Sequence, residues 1–396
     1  MRSRRSTLIL FAVTLLAASL LACSERHLAP KVPQAEPLSS AVETLAGGDT
    51  EGYEAAIEPR EFVFPKDHGP HPEFKTEWWY FTGHLEAGNG NRFGYQLTFF
   101  RQALAPDAPQ RTSSWGTRQM IMAHFAVTDV ADGSFYSAER LSRAAAGLAG
   151  AEGPPLRVWL EDWSITSTTD EVFPLRLRAE SREASRFGID LTLESLKPVV
   201  LHGDRGLSQK GDRPGDASYY FSLTRLQAQG EVTIGERVMP VTGSSWLDRE
   251  WSTSALGENQ TGWDWFSVQL EDQRELMIAQ LRLTDGSVDP VSHGTLVEAD
   301  GSTRPLVFGD FEIEVLDTWR SDHGAEYPSR WRARIPSADL DLFIEPLIAD
   351  QELDGSFRYW EGAVEARSAS DTGERGLGYV ELVGYADEAS SDVDGG

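Results

Sequence analysis

Thr76-Glu-Trp-Trp-Tyr-Phe-Thr-Gly-His-Leu-Glu86 recurs without a gap as Thr261-Gly-Trp-Asp-Trp-Phe-Ser-Val-Gln-Leu-Glu271. Thr, Trp, Phe, Leu and Glu are identical between the copies, and Tyr/Trp and Thr/Ser are similar. The offset from 76 to 261 is 185 residues, close to half of the 396-residue chain. Each copy is followed by a turn and a second apolar stretch, Arg92 to Arg101 and Arg274 to Arg282. Farther on, His124 precedes Asp132-Gly133-Ser134 as His293 precedes Asp300-Gly301-Ser302. Repetition at this spacing reads as two copies of one domain, dividing near residue 230.

Both copies have the composition of a strand. Side chains alternate across a strand with period two, so one face carries Trp78, Tyr80, Thr82 and His84, matched by Trp263, Trp265, Ser267 and Gln269. The other carries Trp79, Phe81 and Leu85, matched by Asp264, Phe266 and Leu270. Neither face is plainly polar. Such a sheet closes around an aromatic cavity with a few polar tips, or is one layer of a filled core.

The rest of the chain follows the same pattern. Short aromatic and β-branched stretches alternate with turn signals such as Asp132-Gly133, Asp285-Gly286 and Asp354-Gly355. Strands are expected at Glu77 to Glu86, Arg92 to Arg101, Met120 to Thr128, Asp162 to Ser167, Phe187 to Glu194, Tyr219 to Gln227, Gly262 to Glu271, Glu275 to Leu283 and Phe311 to Leu316. The best helical candidate is a weak one, Glu139 to Leu148. The expected class is all-β, as sandwiches or antiparallel barrels.

Composition limits the function. With 40% apolar and 10% aromatic residues the bulk of the chain is not intrinsically disordered, and its length suits about two domains. A net charge of −26 argues against a nucleic-acid partner, since phosphate binding needs clustered Lys and Arg. One cysteine excludes a disulfide framework or a cluster of thiolate metal ligands in a monomer. That cysteine, Cys23, follows a basic start (Met1 to Arg5) and an uncharged apolar run (Ser6 to Leu21). Residues 1–22 read as a signal peptide. Leu20-Leu21-Ala22-Cys23 resembles the lipobox of bacterial lipoproteins, which implies acylation of Cys23 and a periplasmic chain held to the outer membrane through its lipid alone. Residues 23–58 read as a flexible tether, 59–229 and 230–386 as the two domains, and 387–396 as a disordered acidic tail.

A family resemblance is carried by Phe64-Pro65-Lys66-Asp67-His68-Gly69-Pro70-His71-Pro72-Glu73-Phe74-Lys75-Thr76-Glu77-Trp78-Trp79-Tyr80. It continues through Gly94 to Arg101, Ala123-His124-Phe125-Ala126, Leu201-His202-Gly203-Asp204, Ser208-Gln209-Lys210-Gly211, Ser245-Trp246-Leu247-Asp248-Arg249-Glu250-Trp251 and Gly262 to Phe266. These stretches resemble the AttH-like and carotenoid 1,2-hydratase family over nearly all of residues 60–385. The resemblance implies two lipocalin-like barrels in tandem. In the hydratases the stretch corresponding to 246–251 carries an Asp in a setting rich in His, Asn and aromatic residues, which matches Asp248. Here Leu247 and Arg249 stand in place of histidines, and Glu250 in place of Asn.

Three functional readings follow. The first is a lipid-anchored periplasmic protein that takes a lipid or isoprenoid in an aromatic barrel cavity lined by Trp78, Tyr80, His124, Trp246, Trp251, Trp263 and Trp265. The second is a cofactor-independent hydro-lyase that adds water to a terminal carbon–carbon double bond. There Asp248 or Glu250 is the acid, and Trp246, Trp251, Trp263 and Trp265 surround the carbocation. The third is an accessory lipoprotein of an ABC-type membrane transporter. Pairing of Arg249 with Asp248, in an ion network at the barrel mouth, would keep the carboxylate ionised and count against the second. The chain lacks a Gly-x-Ser-x-Gly elbow and a dinucleotide fingerprint, so no cofactor is expected. His68 and His71 have chelating spacing, but in a proline-rich loop they read as an ordered turn and not a metal site.

Overall fold

The computed structural model describes residues 50–107, 113, 115–254, 256–257, 259–370 and 373–386. The signal peptide, Cys23, the tether as far as residue 49 and the tail 387–396 lie outside the described residues.

The first sheet contains β1 (Thr76–Ala87), β2 (Arg92–Ala103), β3 (Gln119–Asp129), β4 (Ser134–Arg143), β5 (Ala149–Glu152), β6 (Arg157–Leu160), β7 (Trp163–Ser167), β8 (Leu175–Ser181) and β9 (Phe187–Ser195). It also contains β10 (Val200–Leu201), β11 (Leu207–Gln209), β12 (Ala217–Ile234) and β13 (Arg237–Ser254). Its order is β4-β3-β2-β1-β13-β12-β9-β8-β7-β6-β5, with β10 and β11 beside β12, and it curls until β3 and β4 approach β5 and β6. The second sheet comprises β14 (Gln260–Leu270), β15 (Glu275–Leu283), β16 (His293–Val297), β17 (Thr303–Leu306), β18 (Glu312–Arg320), β19 (Glu326–Ile335), β20 (Leu340–Pro346), β21 (Glu352–Asp354), β22 (Arg358–Ser368) and β23 (Arg375–Val383). Its order is β17-β16-β15-β14-β23-β22-β20-β19-β18, with β21 beside β22, and it forms a half-barrel.

The all-β, lipocalin-like expectation holds, and the repeat is visible in the topology. In each sheet the opening strand lies between its hairpin partner and the last strand of the unit, β1 between β2 and β13, β14 between β15 and β23. The sheets part between Ser254 and Gln260, not near residue 230. Residue 230 lies inside β12, whose hairpin with β13 supplies the partner of β1 and so belongs to the first unit. Glu139 to Leu148 is also not helical. Its first half lies in β4, where the open edge of β3 supplies the hydrogen bonds that a short isolated helix struggles to hold. The tether ends earlier than residue 58. Ala56 is buried, Tyr219 Oη donates to the Glu58 carbonyl at 2.8 Å, and Thr253 Oγ1 donates to that of Glu54.

Alternation sorts the two faces as expected, but assigns them different partners. Trp79, Phe81 and Leu85 fill the interior of the first barrel with Leu97, Phe125 and Leu247. Phe266, Val268 and Leu270 do the same in the second, with Trp331 and Trp360. Each interior is a packed core. The faces bearing Tyr80 and Trp265 turn outward and meet between the barrels, together with Tyr220, Trp246 and Tyr379.

One end of the first barrel is closed by residues 54–75. There Glu77, fully buried, accepts from Arg249 Nη2 at its Oε1 (2.6 Å) and from Arg101 Nε at its Oε2 (2.9 Å), and His71 Nδ1 lies 2.8 Å from the same Oε1. Burial alone would raise the Glu77 pKa, but Arg249 and Arg101, with His71, hold it well below the usual carboxylate range. Glu77→Ala leaves two guanidinium groups buried without their anion, and is expected to cost about 3–5 kcal/mol. The measurement is the urea unfolding midpoint; an unchanged midpoint would show that the network carries no stability.

Candidate active site between the barrels

A cleft opens where the two outward aromatic faces meet. Its walls come from β1 and β2 (Trp78, Tyr80, Phe100), from β12 and β13 (Tyr220, Asp248, Glu250), and from the second repeat (Trp263, Trp265, Tyr359, Glu361, Glu381), with Lys210 and Leu256 at loops. It encloses about 780 Å³ between its walls, open mouth included, and its lining is mostly apolar and aromatic.

Strand registry makes the walls pseudo-equivalent. Asp248 lies opposite Tyr80, and Glu381 lies opposite Trp265, the repeat counterpart of Tyr80. Across the next strand, Ser222 lies opposite Asp248 and Glu361 opposite Glu381. Two residues earlier on those strands stand Tyr220 and Tyr359. Duplication thus delivers an acid, its cross-strand neighbour and a tyrosine twice to one cleft.

Asp248 is 4% exposed and touches no arginine. Ser222 Oγ and Trp246 Nε1 (2.6 Å) donate to its Oδ1, and Tyr220 Oη donates to Oδ2 at 2.8 Å. Burial pushes its pKa up, against these three donors and with the charge of Glu250 in support, from 3.8 to about 7. Behind Ser222 stands His202, its Nε2 at 2.6 Å from Ser222 Oγ and its Nδ1 at 2.8 Å from Thr295 Oγ1. Burial keeps that imidazole neutral, with its pKa well below 6.5.

Glu250 differs from Asp248. It pairs with Lys210 Nζ at 3.0 Å and accepts from Ser218 Oγ, so it stands as a charge-matched wall of the cleft and not as a free acid. The expected Arg249–Asp248 pair does not form. Adjacent strand residues point to opposite faces, and Arg249 lies over the Trp79 ring at 4.1 Å, paired with Glu77. Trp251 shares that opposite face, stacked on His71 at 3.7 Å, and is not in the cleft. Trp246 supports the site from behind through Asp248 and an edge contact with Trp265.

Trp78, Tyr80, Trp263 and Trp265 line the cleft, although it is a space between barrels and not the interior of one. His124 does not point into the first barrel. Its Nδ1 lies 2.8 Å from Tyr359 Oη of the second repeat and its Nε2 2.9 Å from Glu139, which also accepts from Ser356. It is a strut between barrels. His68 and His71 lie on and just after a single 3₁₀ turn (Lys66–His68), with His71 engaged by Asp67 and Glu77. Among the described residues no group of His, Cys, Asp or Glu is arranged to hold a metal ion.

Sequence reasoning did not single out Glu361, Glu381, Tyr220 or Tyr359. The repeat offset fails on β22 and β23 because loop lengths differ between the copies, so the signal was available only through registry. Neither carboxyl oxygen of Glu361, nor the Tyr80 hydroxyl, has a hydrogen-bond partner within 3.5 Å. Burial and the neighbouring Glu381 push the Glu361 pKa well above its usual value, opposed by the Tyr80 and Tyr359 hydroxyls. Glu381 is only partly exposed and is raised by burial and by Asp248 and Glu250, against Trp263 Nε1 at 3.1 Å and Lys210.

The AttH-like family model matches residues 55–385. Among solved structures, an AttH protein from Nitrosomonas europaea is 36% identical, covers 84% of this chain and 99% of its own, and superposes with a TM-score of 0.74. Kievitone hydratase from Nectria haematococca is 16% identical, covers 85% and 99%, and has a TM-score of 0.63. CghA with Sch210972 is 14% identical, covers 86% and 98%, and has a TM-score of 0.53; these two share the fold. No curated protein sequence matches the chain significantly.

The raised pKa of Asp248 carries a stability signature. The folded protein holds this proton more tightly than the unfolded chain does, so the aspartate's contribution to stability falls as pH rises from about 4 to about 7 and then levels off, by up to about 4 kcal/mol. Asp248→Asn should remove that slope. Unfolding free energies of the two proteins across this window test it, and parallel curves would mean that Asp248 titrates normally.

Proposed function

The chain belongs to the AttH-like family, and from that premise we propose that the cleft binds the unsaturated end of an apolar molecule and catalyses reversible addition of water to its carbon–carbon double bond. The observation that carries this reading is Asp248: a buried carboxyl with a pKa near 7, free of arginine, in a cleft walled by Trp78, Trp263 and Trp265. An acid–base group works best with a pKa near the operating pH. The ring faces supply negative potential for a developing carbocation, and the polar atoms around Asp248 and Lys210 can hold the incoming water. A terminal isoprenoid alkene is apolar, as is most of the cleft wall. Acylation of Cys23 in the periplasm belongs to the same reading, since a membrane anchor keeps the enzyme beside membrane-dissolved substrates.

Incubation with a detergent-dispersed acyclic carotenoid in heavy-oxygen water tests the reaction. The expected product carries one hydroxyl with solvent oxygen, and Asp248→Asn slows its formation by about 10²–10⁴-fold. Stoichiometric co-purification of an apolar molecule with no uptake of solvent oxygen would instead make the protein a carrier. Trp263→Ala is expected to weaken retention of the bound molecule roughly threefold to tenfold while leaving the first barrel folded. Native mass spectrometry reads the first effect and near-ultraviolet circular dichroism the second.

A further inference from the structure

The two repeats treat the same position differently. In the first, the residue opposite Asp248 is Ser222, whose hydroxyl donates to the carboxylate. In the second, the residue opposite Glu381 is Glu361, and two ionised carboxylates cannot bond to one another. Directly opposed residues place their Cβ atoms about 4.5–5.5 Å apart; Glu381 accepts from Trp263 Nε1, and the repulsion left between the two acids is relieved by holding a proton or by meeting a cation. Glu361 is 1% exposed, lines the cleft, and has both oxygens without a hydrogen-bond partner. Glu381 reaches the same cleft and is partly open to solvent.

We propose that Glu361 and Glu381 make the cleft a site for an apolar cation, the pair giving up a proton and becoming the counter-ion of the charge bound there. The pair rests on the hydration reading for its chemistry. Glu361 loses its O–H bond as the alkene π pair forms a C–H bond with that proton, and the adjacent carbon becomes the cation. Water forms the C–O bond and yields its surplus proton to ionised Asp248. Glu381, at the open side, resupplies Glu361 with a proton from solvent, and Asp248 returns the one it took up to solvent, which regenerates both groups. Nothing is oxidised or reduced. The other ionisable groups facing the pair are Tyr80, Tyr359, Tyr379, Asp248, and Lys210 with Glu250. Lys210 is the cation among them, and it is already matched by Glu250.

N,N-dimethyloctylamine, protonated at neutral pH, is a substrate-independent probe, and its branched alkane isostere is the control. Quenching of tryptophan emission reports binding, and calorimetry in buffers of different ionisation enthalpy counts protons. The full chain is expected to bind the ammonium about tenfold more tightly than the alkane, with release of a proton. Glu361→Gln and Glu381→Gln should each remove both effects. No preference in the wild-type protein, or a preference that survives in both glutamine variants, overturns the proposal. A wild-type protein that fails to hydrate the carotenoid yet shows the Glu361-dependent preference removes the reaction and leaves the cation site standing.

Discussion

Trp265 of the second barrel donates its indole N–H to Tyr220 Oη of the first at 3.1 Å, and Tyr220 donates onward to Asp248 at 2.8 Å. This relay ties the orientation of Asp248 to the docking of the two barrels. Residues of both barrels wall the cleft around Asp248, and burial is the largest influence on its proton. Interface and acid strength are therefore one property of the fold, and a change that loosens the barrels also lowers the Asp248 pKa.

Duplication explains why such an interface exists. Each opening strand has two apolar faces, and a barrel interior can absorb only one of them. The face bearing Tyr80 or Trp265 would be a liability in a single barrel, as an exposed apolar patch. Two copies bury these faces against each other with a cleft between them. The copies then diverged in polarity: Ser222 and Asp248 form a satisfied donor–acceptor pair, while Glu361 and Glu381 form two opposed acids. Two struts, His124 to Tyr359 at the cleft wall and Lys197 to Glu275, join the units.

The repeat, the nine expected strands and the sorting of Trp79 and Phe81 from Trp78 and Tyr80 were legible in the sequence, because they rest on local period-two geometry; Asp248 was reached through the family resemblance, and its place between the barrels was not legible. Parity within β13 also contained the answer to the Arg249 question, since 246, 248 and 250 share one face while 247, 249 and 251 share the other. Grouping Trp251 with Trp246 ignored that alternation. What local pattern could not reach was the pairing of β13 with β1 across more than 150 residues, and hence the domain boundary and the contribution of β22 and β23. Glu361 and Glu381 look in sequence like polar residues on solvated strands. Only the second barrel's docking makes them interior.

The charges buried in this protein fall into two kinds. Around Glu77, opposite charges are brought together, so that His71, Arg101 and Arg249 outweigh the cost of burial and the carboxylate stays ionised. Around Glu361, like groups are brought together with no arginine near, so burial and repulsion act in the same direction and the carboxyl keeps its proton. The first arrangement fixes structure, because removing any member strands a charge. The second stores a proton, and becomes a negative charge without a protein counter-ion only when that proton leaves. The fold separates the two kinds by face of the sheet: the arginine side packs into the first barrel, and the carboxyl side lines the cleft.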